Sequence, residues 1–239
     1  MNQIKDYVLK NNTITHDLKL DRVIEFDNQS RNYPITRITT APIGNYDWEC
    51  SKTLNQGSEG ACVGFGISHE LIATPVAIKN INNKTARQLY FEAQRIDNWE
   101  GGAYPGANPF YEGTSVLAGV KVAKKMGFFD SYYWAFGIND LITGLATGPA
   151  VLGVLWTWAM YNPNRQGFIR PTGQIAGGHC ILCRGVNLDQ GYFTLRNSWG
   201  PSWGDKGDCY MTFSDMNALL DMYGEAVFFI NRKIGPGYI

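Results

Sequence analysis

The chain has 239 residues, 44% of them hydrophobic, enough to bury a sizeable core as one domain or two lobes. Its 21 basic and 21 acidic residues balance, which removes electrostatic support for binding to nucleic acid or a membrane surface. No apolar run reaches the roughly 18 residues of a membrane span. The start, Met1-Asn2-Gln3-Ile4-Lys5-Asp6-Tyr7, lacks the apolar core of a signal peptide.

The stretch 1–50 is polar and irregular and reads as an arm strapped across the body. His16 lies in it, and Ser30-Arg31-Asn32-Tyr33-Pro34-Ile35 is expected to be extended because of Pro34. Residues 51–148 carry helical patterns. A first helix runs from Cys62 to Ala73, before Pro75, with Val63, Ile67 and Leu71 four apart. Gly64 and Gly66 cost it about 1 kcal/mol each and read as close-packing positions. A second helix covers Asn83–Ile96. Thr114 can cap a third, which ends near Met126 with Gly127 at its C-terminal turn. A short helix spans Asp140–Ala146. The aromatic run Tyr132–Phe136 reads as packing or as a subsite wall.

Residues 149–239 are strand-rich: Ala150–Trp156, Gly178–Val186, Tyr192–Asn197, Gly207–Phe213 and Glu225–Ile230, with a brief helix capped by Ser214. Helices first and strands later indicate an α+β plan in two lobes. Alternation puts His179, Ile181 and Cys183 on one face of a strand. It puts Phe193, Leu195 and Asn197 on one face of the next. A hairpin turning at Asp189-Gln190-Gly191 can then bring His179 to Asn197. Trp156 and Trp158 share a strand face and read as core. Cys180 and Cys183 point opposite ways, which argues against a metal or redox pair.

Cys62 follows a glycine-rich loop, Asn55-Gln56-Gly57-Ser58-Glu59-Gly60-Ala61, and stands where a helix begins. A thiol becomes a good nucleophile as the thiolate, from an ordinary pKa of about 8.5. A helix N-terminus and a neighbouring imidazolium both favour the anion. The amide oxygen of Asn197 can orient the His179 ring and leave its other nitrogen for the thiol. The chain has five cysteines, Cys50, Cys62, Cys180, Cys183 and Cys209. The odd number leaves one unpaired whatever the others do. With no secretion signal, all five are expected reduced, in a cytoplasmic or virion-associated protein.

From about Leu54 to Phe213 the chain resembles the papain-like (C1) cysteine proteases. The resemblance rests on Gln56-Gly57-Ser58-x-Gly60-Ala61-Cys62-x-x-Phe65, on the glycine-preceded His179, and on Asn197-Ser198-Trp199-Gly200-x-x-Trp203-Gly204-x-x-Gly207. It implies a helical lobe, a β-barrel-like lobe and a cleft between them. It implies Cys62 as nucleophile, His179 as general base and acid, Asn197 as orienting group and Gln56 in the oxyanion hole. Trp199 would cover the His179–Asn197 bond, and Trp203 would border the leaving-group side. Substrate backbone would meet Gly101-Gly102 or Gly113 on one wall, a choice the sequence leaves open, and Gly178 on the other. The implied partner is a peptide or protein substrate, and no metal or organic cofactor is required.

The chain departs from the family pattern at Glu59, where secreted members carry a cysteine. Val63 replaces the usual aromatic after the nucleophile, and Cys180 follows the histidine in place of a small residue. The Cys62–His179 separation is also shorter than the family's about 130–150 positions, which implies trimmed loops. Two alternatives stand beside the peptidase: a non-hydrolytic binding or structural protein, for example in a larger assembly, and an amidase acting on cell-wall or isopeptide bonds.

Overall fold

The computed structural model describes residues 18–39 and 41–233. The readings made of His16 and of Met1–Tyr7 lie outside them. The described chain contains nine strands and five α-helices in a mixed α+β arrangement.

The first helix, α1 (Cys62–Ile72), is buried on every side, its polar Ser68, His69 and Glu70 included. Its glycines explain how. A methyl group on Gly64 would lie 2.2 Å from the Ala86 carbonyl oxygen, and one on Gly66 would lie 2.6 Å from the Cys180 sulfur. α1 therefore packs at backbone distance on α2 (Asn83–Gln94) through Gly64 and on the sheet through Gly66. The third helix, α3 (Val116–Lys125), is capped by Ser115, whose hydroxyl accepts from the Ala118 N–H, and not by Thr114. Thr114 is instead in a short strand, β3 (Thr114–Ser115). Gly127 takes the expected left-handed turn at φ 83°. A short α4 spans Ile138–Gly144. Thr212, not Ser214, caps α5 (Phe213–Asp221), because the preceding strand runs directly into it.

The expected extended segment shrinks to Pro34 itself, which is extended and bridges Trp134. Two 3-10 turns, Ser30–Asn32 and Ile35–Arg37, flank the proline. Asp27 accepts from both the N–H and the hydroxyl of Ser30, and this local turn overrides the extended preference.

One antiparallel sheet has the order β4-β9-β5-β6-β7-β8. Its strands are β4 (Ser131–Ala135), β5 (Ala150–Thr157), β6 (Ile175–Asn187), β7 (Tyr192–Arg196), β8 (Asp208–Thr212) and β9 (Glu225–Ile230). A short β2 (Tyr46–Asp47) adds to β6. Among the described residues the ends β4 and β8 are not joined, so the expected barrel-like closure is not made. The aromatic run is thus largely strand β4, paired to β9. Trp158 has left the strand for a 3-10 turn after the irregularity at Trp156/Thr157, so it does not share a strand face with Trp156.

Alternation along the central strands sorts the core. Val151, Cys180, Leu182, Val227 and Phe229 pack with the helices. Ala150, Leu152, Val154, Ile181, Cys183, Ala226 and Phe228 build a second cluster on the other face. Cys180 and Cys183 accordingly belong to different clusters. All five cysteines are buried and unpaired.

A parallel two-stranded ribbon completes the described fold. β1 (Arg22–Val23) pairs with β3 and also packs against β6, so the arm meets both the helical segment and the sheet. No helix of the described residues is long and apolar enough to cross a membrane.

Candidate active site

The loop ahead of α1 is stitched to the end of β7. Gln56 N–H donates to the Ser198 carbonyl at 2.9 Å, and Gly200 N–H donates to that of Leu54 at 3.3 Å. The Gln56 side-chain oxygen accepts from the Ser198 hydroxyl at 2.6 Å. Glu59 forms an ion pair with Arg87 of α2, at the position where a disulfide cysteine was noted as missing. Cys62 opens α1 with its backbone at the helix N-terminus.

His179 and Asn197 meet as the hairpin geometry requires. Asn197 Oδ1 lies 2.8 Å from His179 Nε2 and also accepts from the Ser198 N–H at 2.8 Å. The Ser198 N–H can only donate, so the atom facing the ring is the amide oxygen. The proton between Asn197 and His179 then resides on Nε2. A neutral ring presents a lone pair at Nδ1, which is buried and has no hydrogen-bond partner.

Aromatic rings hold this imidazole in place. Trp199 lies 5.0 Å from it, Trp156 meets it edge-on at 4.7 Å, and Tyr161 stacks on Trp199 at 5.3 Å. Trp203 packs edge-on against Trp199 and donates its indole N–H to the Tyr161 carbonyl at 2.7 Å.

The Cys62 sulfur sits beside Cys180, the residue after His179. No hydrogen bond joins the sulfur to the imidazole among the described residues. Burial pushes the Cys62 thiol up to about 12, against the pull of the Cys180 and Val63 backbone. Burial likewise lowers His179 to about 4, opposed by its bond to Asn197. Both groups are therefore neutral as they stand, a protonated thiol next to a neutral imidazole.

The arm lies against the residues that surround this pair. Gln56 Nε2 donates to the Lys19 carbonyl at 3.2 Å and to that of Glu59 at 2.8 Å. Trp199 Nε1 donates to the same Lys19 carbonyl at 3.1 Å. A methyl group on Gly60 would lie 2.3 Å from Asp21 Oδ2, one on Gly113 2.3 Å from the Asp21 carbonyl, and one on Gly178 2.1 Å from the Arg22 carbonyl. Gly113 and Gly178 thus flank the arm from two sides. Gly101 and Gly102 do not. Their backbone is occupied within their own loop, where Gly102 N–H donates to the Pro109 carbonyl at 3.0 Å and Tyr111 N–H to that of Gly102 at 3.2 Å.

Sequence reasoning missed Lys19–Arg22, Ser198 and the contact of Trp156 with His179. The Ser198 signal was present in the Asn-Ser-Trp-Gly run, but nothing in the composition of the arm marks its contacts with Gln56 and Trp199.

Two buried side-chain systems frame the site and yield predictions. Asp208 accepts from Arg196 through both oxygens and from Arg184 at 3.0 Å, while Arg196 Nη1 reaches the Lys52 carbonyl and the Thr53 hydroxyl. This network anchors the chain that leads to Gln56. Asp208→Ala leaves two arginines facing one another at a largely buried position, and urea denaturation is expected to show a loss of about 3–5 kcal/mol.

His69 accepts from the Leu54 N–H at 2.9 Å through Nε2, which fixes it as neutral and structural. Burial first, and then Arg196, lower it to about 3. The unfolded chain binds a proton near pH 6.5 that folded His69 refuses, so this residue costs stability as pH falls below about 6.5. Between pH 6 and 4 the wild type is expected to lose about 1.4 kcal/mol per pH unit more than His69→Gln. Parallel slopes in paired urea titrations would contradict this.

The solved structures most similar to this fold include xylellain, a cysteine protease from Xylella fastidiosa, with a TM-score of 0.67 at 17% identity. That match covers 93% of this chain and 100% of that one. The proform of Amb a 11, a cysteine protease and ragweed pollen allergen, aligns at 0.57 and 16% identity over 99% and 79% of the two chains. Procathepsin L 3 from the larval midgut of Tenebrio molitor aligns at 0.52 and 14% over 96% and 78%. No family model matches the sequence, and no curated protein matches it. At these identities the likeness is one of fold: the chain has the papain-like fold.

Proposed function

We propose that the chain is a papain-like cysteine peptidase held in a restrained state by its own arm. The observation that carries this reading is the His179 Nε2–Asn197 Oδ1 bond. It leaves Nδ1 as an unoccupied base within a papain-like fold whose first helix starts at Cys62.

In the unblocked site, Nδ1 takes the Cys62 proton and the helix N-terminus supports the thiolate. The sulfur attacks a peptide carbonyl in the cleft between the two lobes. Gln56 Nε2 and the Cys62 N–H stabilise the oxyanion, each donor worth about 3–4 kcal/mol. His179 then protonates the departing amine and activates water against the thioester. Trp199 shields the orienting bond. Gly113 and Gly178 leave room for substrate backbone where the arm now runs. Each step uses side chains and water alone.

The arm supports the restraint because Gln56 Nε2 already donates to the Lys19 carbonyl. Two of the similar structures, Amb a 11 and procathepsin L 3, are proforms.

A mixed peptide library incubated with wild type, with Leu20→Asp, which unseats the arm, and with Leu20→Asp carrying Cys62→Ala, alongside mass-spectrometric labelling by iodoacetamide, tests the proposal. Slow labelling of the wild type is expected, with cleavage and fast Cys62 labelling in Leu20→Asp that are lost with Cys62→Ala. Labelling of Leu20→Asp no faster than that of an unfolded thiol, with no cleavage, would overturn it. That result would favour a second reading, in which the neutral buried pair marks a non-hydrolytic protein that holds a partner.

A further inference from the structure

The Cys180 side chain has no part in the proposed peptide chemistry, yet it is built against the nucleophile. It follows His179 on β6, and alternation turns it away from the imidazole and onto α1. There it meets the helix at Gly66, where a methyl group would stand 2.6 Å from the Cys180 sulfur. Gly66 lies four residues after Cys62, on the same face of the helix. The Cys180 backbone N–H lies against the Cys62 sulfur. Both thiols are fully buried in one cluster. The other three point elsewhere. Cys183 and Cys209 belong to the cluster on the opposite face of the sheet, and Cys50 donates to the His69 carbonyl at 3.4 Å.

We propose that Cys62 and Cys180 form a reversible oxidation site, in which hydrogen peroxide oxidises Cys62 and Cys180 resolves the product into a disulfide.

The chemistry takes two steps. The Cys62 thiolate attacks one oxygen of the peroxide. The O–O bond breaks, a sulfenic acid forms on Cys62, and hydroxide leaves to become water with a solvent proton. The Cys180 sulfur then attacks the Cys62 sulfur. The S–O bond breaks as the S–S bond forms, and hydroxide departs as water with the Cys180 proton. Two electrons pass from the thiols to the peroxide, and an external dithiol returns them by exchange.

The geometry supports the second step. Side chains four apart on a helix have Cβ atoms about 5–6 Å apart, so a sulfur seated over Gly66 is one turn from the Cys62 side chain. Rotation about the Cys180 Cα–Cβ bond moves its sulfur along the helix, toward the thiol that its own N–H already meets. The glycine supports it independently. α1 keeps Gly66 against its helix propensity, and the missing side chain is what admits the Cys180 sulfur.

The arm decides when the first step can occur. With the arm seated, Asp21 and Arg22 stand beside the pair, and Arg22 Nε donates to Glu225 Oε1 at 3.0 Å. Burial, and then Cys62 itself, raise Cys180 well above its ordinary value. Both sulfurs are protonated and shielded in this state, so peroxide meets no thiolate. Release of the arm lets Cys62 ionise, and the ionisation that activates the nucleophile also makes it oxidisable. The disulfide then ties α1 to β6 and keeps the sulfenic acid from passing on to the irreversible sulfinic acid. The inference goes beyond the peptidase reading, since it needs Cys62 to ionise but not to turn over.

The products of oxidation test the site without any substrate. Three full chains are exposed to hydrogen peroxide: Leu20→Asp alone, with Cys180→Ala, and with Cys183→Ala. One portion is digested without reduction and mapped by mass spectrometry. A second is reduced with dithiothreitol before iodoacetamide labels Cys62. A cross-linked Cys62–Cys180 peptide pair is expected in the first and third chains. Dithiothreitol is expected to recover Cys62 labelling in them about tenfold better than in the Cys180→Ala chain, where Cys62 ends as the sulfinic acid. Wild type under longer exposure takes the place of Leu20→Asp if the latter does not melt cooperatively, and Cys180→Ser that of Cys180→Ala.

Sulfinic Cys62 as the main product while Cys180 is intact, equal recovery in the Cys180→Ala chain, a disulfide from Cys62 to another cysteine, or no oxidation of Cys62 overturns the site. The two proposals fail differently. A chain that cleaves peptides while Cys62 passes straight to the sulfinic acid defeats only the oxidation site. A chain that cross-links reversibly and never cleaves defeats only the peptidase.

Discussion

His179→Ala is expected to lower kcat/KM for peptide hydrolysis by about 10⁴-fold or more, while leaving the chain folded. The size follows from what the ring must do twice. In the proposed mechanism it takes the thiol proton through Nδ1, then delivers that proton to the leaving amine. Without it, the Cys62 proton has no nearby acceptor, and burial already holds the thiol up at about 12. Asn197→Ala removes a different element. The ring remains but loses the oxygen at 2.8 Å that fixes its tautomer and plane. A misoriented catalytic group costs about 100-fold, so Asn197→Ala is expected to lie between wild type and His179→Ala. Stopped-flow detection of the acyl-enzyme burst checks both variants. Retention of more than about 1% of wild-type turnover by His179→Ala would require another base and would remove this ring from the chemistry. Effects of the two changes should not add, because both act through one imidazole.

The placement of these residues was legible because it depends on short-range periodicity. Period two along β6 and β7 puts His179 with Ile181 and Cys183, and Asn197 with Phe193 and Leu195. The register Cys183–Leu195 joins the same two faces. The first helix was legible from Val63, Ile67 and Leu71, and the close packing of Gly64 and Gly66 from the cost of keeping glycine in a helix.

What stayed hidden depends on partners far away in sequence. Arg22 and Glu225 are separated by 203 positions, and neither has a local pattern that announces the other. The Gly101-Gly102 pair looked as suitable as Gly113 because a glycine signals permitted closeness, not what comes close. Pro109 approaches the first pair, and Asp21 approaches the last. The caps were displaced by one or two residues for a related reason. Ser115 and Thr212 sit at the exact end of a preceding strand, so strand pairing, which the helix pattern does not encode, selects the capping position.

Leu20→Asp is expected to raise the rate of Cys62 alkylation in the full chain by about thirtyfold. Leu20 is buried with the C-terminal core cluster and touches neither the thiol nor the imidazole in any hydrogen bond, so the change addresses the seating of the arm. Burial of a leucine side chain contributes about 2 kcal/mol, and the loss is compounded by a carboxylate that must stay in water. A shift of about 2 kcal/mol moves a two-state balance about thirtyfold. Release of the arm returns water to Cys62 and frees Gln56 Nε2 from the Lys19 carbonyl.

The pH profile should change with the rate. In the seated state, alkylation climbs only toward high pH. In the released state, the helix N-terminus and an imidazolium can draw the thiol below its ordinary value of about 8.5, so an inflection should appear in the neutral range. Hydrogen exchange at the Arg22 and Val23 amides reports whether the arm has left β3. An arm that exchanges freely while Cys62 reacts at the wild-type rate would show that burial by residues 19–23 is not what keeps the thiol neutral. The proposed restraint by the arm would then fall, and the packing of Cys62 against Cys180 would account for the neutral thiol.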